Sequence, residues 1–173
     1  MIVCEKSFCR GRKMDMDQED LIRRLNWFYS LEMSQVELYK VQSKQFKDHY
    51  AGQVFERVAA IEQSHVDNVA ARITSLGATP TLMGEVVSPI IGMSLGNLMS
   101  LTGLERALQL NMELERKAMS DYKKLIEDLV AGGEDPGGDF CSQLKYNFVD
   151  EHLHTALFDT LRENLMEDKI ETL

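Results

Sequence analysis

Two short words recur in this chain, and together they constrain its fold more than any other feature. AIEQSH at 60–65 and DEHLH at 150–154 each hold a glutamate followed three residues later by a histidine: Glu62 with His65, and Glu151 with His154. Three residues is just under one helical turn, so on a helix each pair puts a carboxylate and an imidazole on the same face. One such pair is commonplace on a solvated helix. Two pairs, each set in an apolar stripe, need a partner for the carboxylates, because a charged group is costly to bury alone. A metal cation is such a partner. Four helices, two with Glu-x-x-His and two with one glutamate each, supply four carboxylates and two imidazoles to a pair of metal ions. The lone glutamates that fit are Glu32 and Glu115.

Four stretches carry the helical period. The first starts near Gln18 behind the N-cap residues Asp15 and Asp17 and runs to about Asp48. Leu21, Leu25, Phe28, Leu31 or Glu32, Val36, Tyr39 and Phe46 line its apolar side. The second takes about Gly52 to Leu76, with Phe55, Val58, Ala59, Glu62, His65, Val69 and Ile73 in one stripe and Gly77 and Pro80 as stop signals. The third runs from about Leu101 to Val130, with Glu115 inside its stripe and Glu113 to one side, solvated. AGGEDPGGD at 131–139 is a turn. The fourth begins near Phe140 and reaches about Met166, with Leu144, Phe148, Glu151, His154 or Thr155, Phe158 and Leu161 facing inward. No useful strand-like alternation appears. The expectation is an all-α four-helix bundle over 15–173, preceded by a flexible arm at 1–14. The short turn after the first helix makes the first two helices antiparallel. Residues 78 to about 100 form the one long connection, a crossover expected to hold a short helix of its own and to return the chain to the other end of the bundle.

Composition narrows the partners. A net charge of −9 and a pI near 4.9 exclude a nucleic-acid surface, which needs clustered Lys and Arg. Cys4, Cys9 and Cys141 form neither a disulfide framework nor paired C-x-x-C words, and read as free thiols in a reducing cytosol. The first residues lack the apolar run of a secretory signal, so a cytoplasmic location is expected. Val86 to Leu104 carries no charged residue, but Pro89, Gly92, Gly96 and Gly103 make it a poor membrane span. A buried crossover or an interfacial segment resting on a membrane surface fits better.

The donor set points to redox chemistry. Two ferrous ions held side by side supply electrons to O2 or peroxide, and manganese shares the ligand set. In this reading Glu62 and Glu151 bridge, while Glu32, Glu115, His65 and His154 are terminal ligands. Tyr39 follows Glu32 by seven residues, and Tyr122 follows Glu115 by the same interval, so each lone glutamate shares a face with a tyrosine. Tyr39 and Tyr122 are candidates for redox or substrate-positioning roles beside the ligands, with plain core packing as the alternative. Asp150 is placed to reach the free nitrogen of a histidine on a neighbouring helix. Met33, Met112 and Met119 read as packing, and His49 and His152 as solvated.

Several segments resemble one known family. LEMSQVELYKVQ at 31–42, GMSLGNLMSLTG at 92–103 and ERKAMSDY at 115–122 are similar to the first helix, the glycine-rich crossover and the third helix of the demethoxyubiquinone hydroxylases, a branch of the ferritin-like superfamily. The similarity covers roughly residues 20–165. It implies a ferritin-like bundle with a di-iron centre at Glu32, Glu62, His65, Glu115, Glu151 and His154. It also implies an O2-dependent monooxygenase acting on a quinone ring, with the crossover touching a membrane surface. Leu31 departs from the glycine that the family tends to carry before this glutamate.

Two other functions compete with the hydroxylase. One is a ferritin-like iron-binding protein with ferroxidase chemistry; the other is a rubrerythrin-like peroxide reductase, although such proteins usually carry an additional rubredoxin domain. A large shell would favour storage, and a monomer or homodimer an enzyme. The electron donor is not written in the sequence.

Overall fold

The computed structural model describes residues 17–83 and 103–171, and over these the chain forms four α-helices. They are α1 (Gln18–Gln45), α2 (Tyr50–Ser75), α3 (Leu104–Gly132) and α4 (Asp139–Glu171). No strand occurs among the described residues. The arm at 1–14, with Cys4 and Cys9, and the expected short helix of the crossover lie outside the described residues.

The helix ends follow from local chemistry. Asp17 caps α1, its side chain accepting from the Glu19 N–H. α1 stops at Gln45, three residues before the expected end, and the N–H of Phe46 closes the last turn on the Gln42 carbonyl. α2 starts at Tyr50, two residues earlier than expected, because His49 is its cap: Nδ1 accepts from the Ala51 N–H at 3.0 Å. His49 is exposed as expected, but it has this structural task. Gly52 packs directly on the turn, where a Cβ would lie 2.4 Å from the Phe46 carbonyl oxygen. α3 ends two residues past Val130 on Gly133, at φ +102°, with Glu134 N–H bonded to the Leu129 carbonyl and Gly133 N–H to that of Val130. α4 continues five residues past Met166, to Glu171.

Side-chain pairs give the helix directions. Arg24 meets Asp128, Trp27 meets Asp121, Gln35 meets Glu115 and Gln42 meets Asn111. Numbers rise along α1 as they fall along α3, so these helices are antiparallel. His65 with Asp150 and His154 with Glu62 show the same for α2 and α4. α1 and α2 are joined by a four-residue turn and also run antiparallel. α2 and α3 therefore point the same way, and the chain must travel back along the bundle between them. Its first steps run up α1: Gln18 donates to the Leu76 carbonyl at 2.9 Å, the Thr81 N–H to Asn26 at 2.7 Å and the Met83 N–H to Ser30 at 2.8 Å.

The core has two apolar layers. One gathers Leu31, Leu38, Tyr39, Val54, Phe55, Val58, Leu108, Leu114 and Phe158. The other gathers Leu25, Phe28, Val69, Ile73, Tyr122, Leu125, Cys141 and Leu144. Burying each such Leu, Ile or Phe contributes about 1.5–3 kcal/mol. Along α2 and α4, Glu62, His65, Glu151 and His154 fall between the residues of the two layers, so the polar side chains sit in the middle of the bundle.

Candidate metal centre

The six candidate ligands come together in this middle layer. Glu32, Glu62, Glu115 and Glu151 are fully buried, and His65 and His154 are at most 2% exposed. They form two overlapping groups whose donor atoms lie within 4.8 Å of one another: Glu32, Glu62, His65 and Glu151 in one, and Glu62, Glu115, Glu151 and His154 in the other. Glu62 and Glu151 belong to both. The fourth-helix stripe resolves in favour of His154, which is buried, over Thr155, which is half-buried.

Each imidazole turns Nδ1 inward. His65 Nδ1 lies 3.0 Å from Glu62, 3.2 Å from Glu151 and 3.9 Å from Glu32. His154 Nδ1 lies 3.0 Å from Glu62, 3.6 Å from Glu151 and 3.8 Å from Glu115. These atoms are close but not aligned as hydrogen bonds. Glu32 Oε2, both oxygens of Glu62 and Glu151, and both Nδ1 atoms are buried without a hydrogen-bond partner among the described residues. Buried polar atoms are rarely left so. Here they converge in two sets sharing two carboxylates, a donor chemistry of oxygen and imidazole nitrogen that suits a pair of divalent cations.

Proton affinities record the crowding. Burial, and then the charge of Glu62, pushes the Glu32 carboxyl up to about 8 against the pull of His65. Burial also raises Glu151 well above the carboxylate range, helped by Glu62, Glu32 and Glu115. Burial alone would raise Glu62 as well, but the His154 and His65 imidazoles beside it hold it at about 2. For His154 burial opposes the charged form, yet Glu115, Glu151 and Glu62 push it up to about 12. His65 is likewise raised, against its burial, by Glu151, Glu32 and Glu62. Glu32, Glu151, His65 and His154 thus favour their protonated forms, and an entering cation must displace those protons.

Hydrogen bonds hold the two lone glutamates. Tyr122 donates to Glu32 Oε1 at 2.5 Å, and Tyr39 donates to Glu115 Oε1. The seven-residue spacing had placed each tyrosine below the glutamate of its own helix. In the antiparallel α1/α3 pair each reaches the glutamate of the opposite helix instead. Both phenols are pushed up, first by burial and then by the carboxylate they touch. Asp150 Oδ2 lies 3.1 Å from His65 Nε2, across the bundle as anticipated.

Three further contacts escaped sequence reasoning. Gln35 donates to Glu115 Oε2 at 3.1 Å, and Asn147 donates to the Tyr122 hydroxyl at 3.1 Å. Gln42 and Asn111 form a reciprocal amide pair at 3.1 and 2.7 Å. The available signal was periodic: Gln35 and Gln42 lie within one turn of Tyr39, and Asn147 lies four residues before Glu151.

No curated protein matches the chain. The family model described as "Ubiquinone biosynthesis protein COQ7" matches residues 30–169, a span that includes all six clustered residues. The chain thus belongs to the COQ7 family, the demethoxyubiquinone hydroxylases of the ferritin-like superfamily.

Proposed function

We propose that this protein is a di-iron oxidoreductase that hydroxylates a quinone-like ring with O2. The observation that carries the reading is the pair of overlapping donor groups sharing Glu62 and Glu151, within a chain of a ubiquinone-biosynthesis family. Glu62 and Glu151 would bridge two ions, Glu32 and His65 would complete one, and Glu115 and His154 the other. Manganese fits the same donors. When bound, a ferrous pair supplies electrons for the reduction of O2.

The protein's own groups orient and shield the site. Tyr122 and Tyr39 hold Glu32 and Glu115 in place, and Asp150 keeps the Nε2 proton of His65 so that Nδ1 faces inward. The apolar layers on either side keep bulk water away from the carboxylates. The overall change inserts one oxygen atom into a ring C–H bond and releases the other as water, consuming two electrons and two protons. A separate two-electron donor must provide the electrons.

Among the described residues no helix is long and apolar enough to cross a membrane. The uncharged stretch at 86–104 is proposed to contact a membrane surface, where a hydrophobic quinone resides. Replacing Ile90 and Ile91 with Asp should then abolish co-flotation with anionic lipid vesicles; unchanged flotation counts against that contact.

Iron-loaded protein, a chemical reductant and a quinone lacking one ring substituent test the reaction itself. The expected outcome is O2 uptake with the product gaining one oxygen atom, and neither in Glu151→Ala. Fe(II) oxidation without any change in the quinone would instead support the ferroxidase reading.

A further inference from the structure

We infer that the two metal positions are unequal: the position built on Glu32 and His65 takes up the first ion and holds it more tightly, with Asp150 as the positioning residue. This rests on the dinuclear reading above and adds an order of loading to it.

The asymmetry starts in the two Glu-x-x-His words. Asp150 precedes Glu151 and reaches across the bundle to His65 Nε2 at 3.1 Å. The corresponding place before Glu62 holds Ile61, which cannot accept a hydrogen bond through its side chain. His154 Nε2 is accordingly buried with no partner among the described residues. An imidazole that donates to a carboxylate is fixed in one tautomer and one ring orientation, and is a stronger donor through its other nitrogen. Among the described residues His65 has that support and His154 does not.

The lone glutamates differ in the same sense. Glu115 accepts at both oxygens, from Tyr39 at Oε1 and from Gln35 at Oε2. Among the described residues Glu32 accepts from Tyr122 at Oε1 only, and its Oε2 is buried without a partner. A donor on each oxygen of Glu115 draws off electron density that a cation would otherwise share, while Glu32 keeps one oxygen uncommitted. Both differences, in imidazole and in carboxylate, favour the same position.

Anaerobic titration of metal-free protein with ferrous ion, read by native mass spectrometry, counts ions per chain at each step. At one equivalent the wild type should be mostly singly loaded. Asp150→Ala should weaken the first step about 10–100-fold and leave the second unchanged, with Asp150→Asn in between. Asp150 is partly exposed, so these variants should fold. Glu115→Ala should keep the first ion at wild-type affinity, and Glu32→Ala should lose it. The opposite pattern in the two glutamate variants would overturn the inference, as would an Asp150→Ala protein that weakens both steps alike or neither. Wild type that takes up no ion at all would overturn the dinuclear reading itself.

Discussion

Around Tyr39, Phe55 and Phe158 the rings pack on one another, with centroids 5.7–6.4 Å apart. A turn or two along the same helices, Glu62 and Glu151 are equally buried and have no hydrogen-bond partner for either oxygen among the described residues. Both regions exclude water, but for opposite ends. The apolar layers lower the free energy of the folded chain by removing hydrocarbon from water. The carboxylate layer raises it, through desolvation and like charge, unless protons or cations fill it. The lesson is that stability and chemistry are divided between adjacent layers, so a substitution in one should act differently from a substitution in the other.

The largest effect should come from the apolar side. Phe55→Ala is expected to cost about 3–5 kcal/mol by denaturant unfolding, and to cost the same with and without bound metal. A loss seen only in the metal-loaded protein would erase the distinction between the layers.

The carboxylate layer should respond to pH instead. The Glu32 carboxyl is raised in the folded state from 4.5 to about 8. Between those values the folded state keeps a proton that the unfolded state has released, so the stability of metal-free protein must fall as pH rises through this window. This group alone contributes a slope of up to about 1.4 kcal/mol per pH unit. His65, His154 and Glu151 are raised too and act in the same direction. Chelator-treated Glu32→Gln should show a flatter decline between pH 5 and 8; an unaltered decline would mean that Glu32 is ionised throughout.

Tyr122 belongs to both layers and should give an intermediate result. Its ring stacks on Phe28 at 4.2 Å while its hydroxyl holds Glu32. Tyr122→Phe keeps the stack, so a loss of only about 0.5–1.5 kcal/mol is expected by denaturant unfolding. At the bottom of the scale, Lys123→Ala removes an exposed partner 4.0 Å from Glu127 and should change stability by less than about 0.5 kcal/mol. A larger change would show surface charge competing with both layers.

The residues that carry this contrast were unevenly legible in the sequence. Glu62, His65, Glu151 and His154 could be read because a carboxylate and an imidazole interrupt an otherwise apolar helical stripe. Glu32 and Glu115 followed from the same interruption once four helices were in view. The partners of Tyr39 and Tyr122 could not be read, because they depend on how far α3 is offset along α1, which spacing within one helix does not encode. Gln35 and Asn147 look like ordinary polar residues until the opposite helix supplies Glu115 and Tyr122. The helix ends shifted for local reasons, with His49 capping α2 and Gly52 fitting tightly against the Phe46 carbonyl.

Metal content per chain, measured by elemental mass spectrometry on protein purified without chelator, tests the central claim most directly. The account predicts close to two iron or manganese ions per wild-type chain and close to none in Glu62→Ala, since that glutamate belongs to both donor groups. Metal-free wild type that also fails to bind ferrous ion on reconstitution would contradict it, as would a Glu62→Ala protein that keeps both ions.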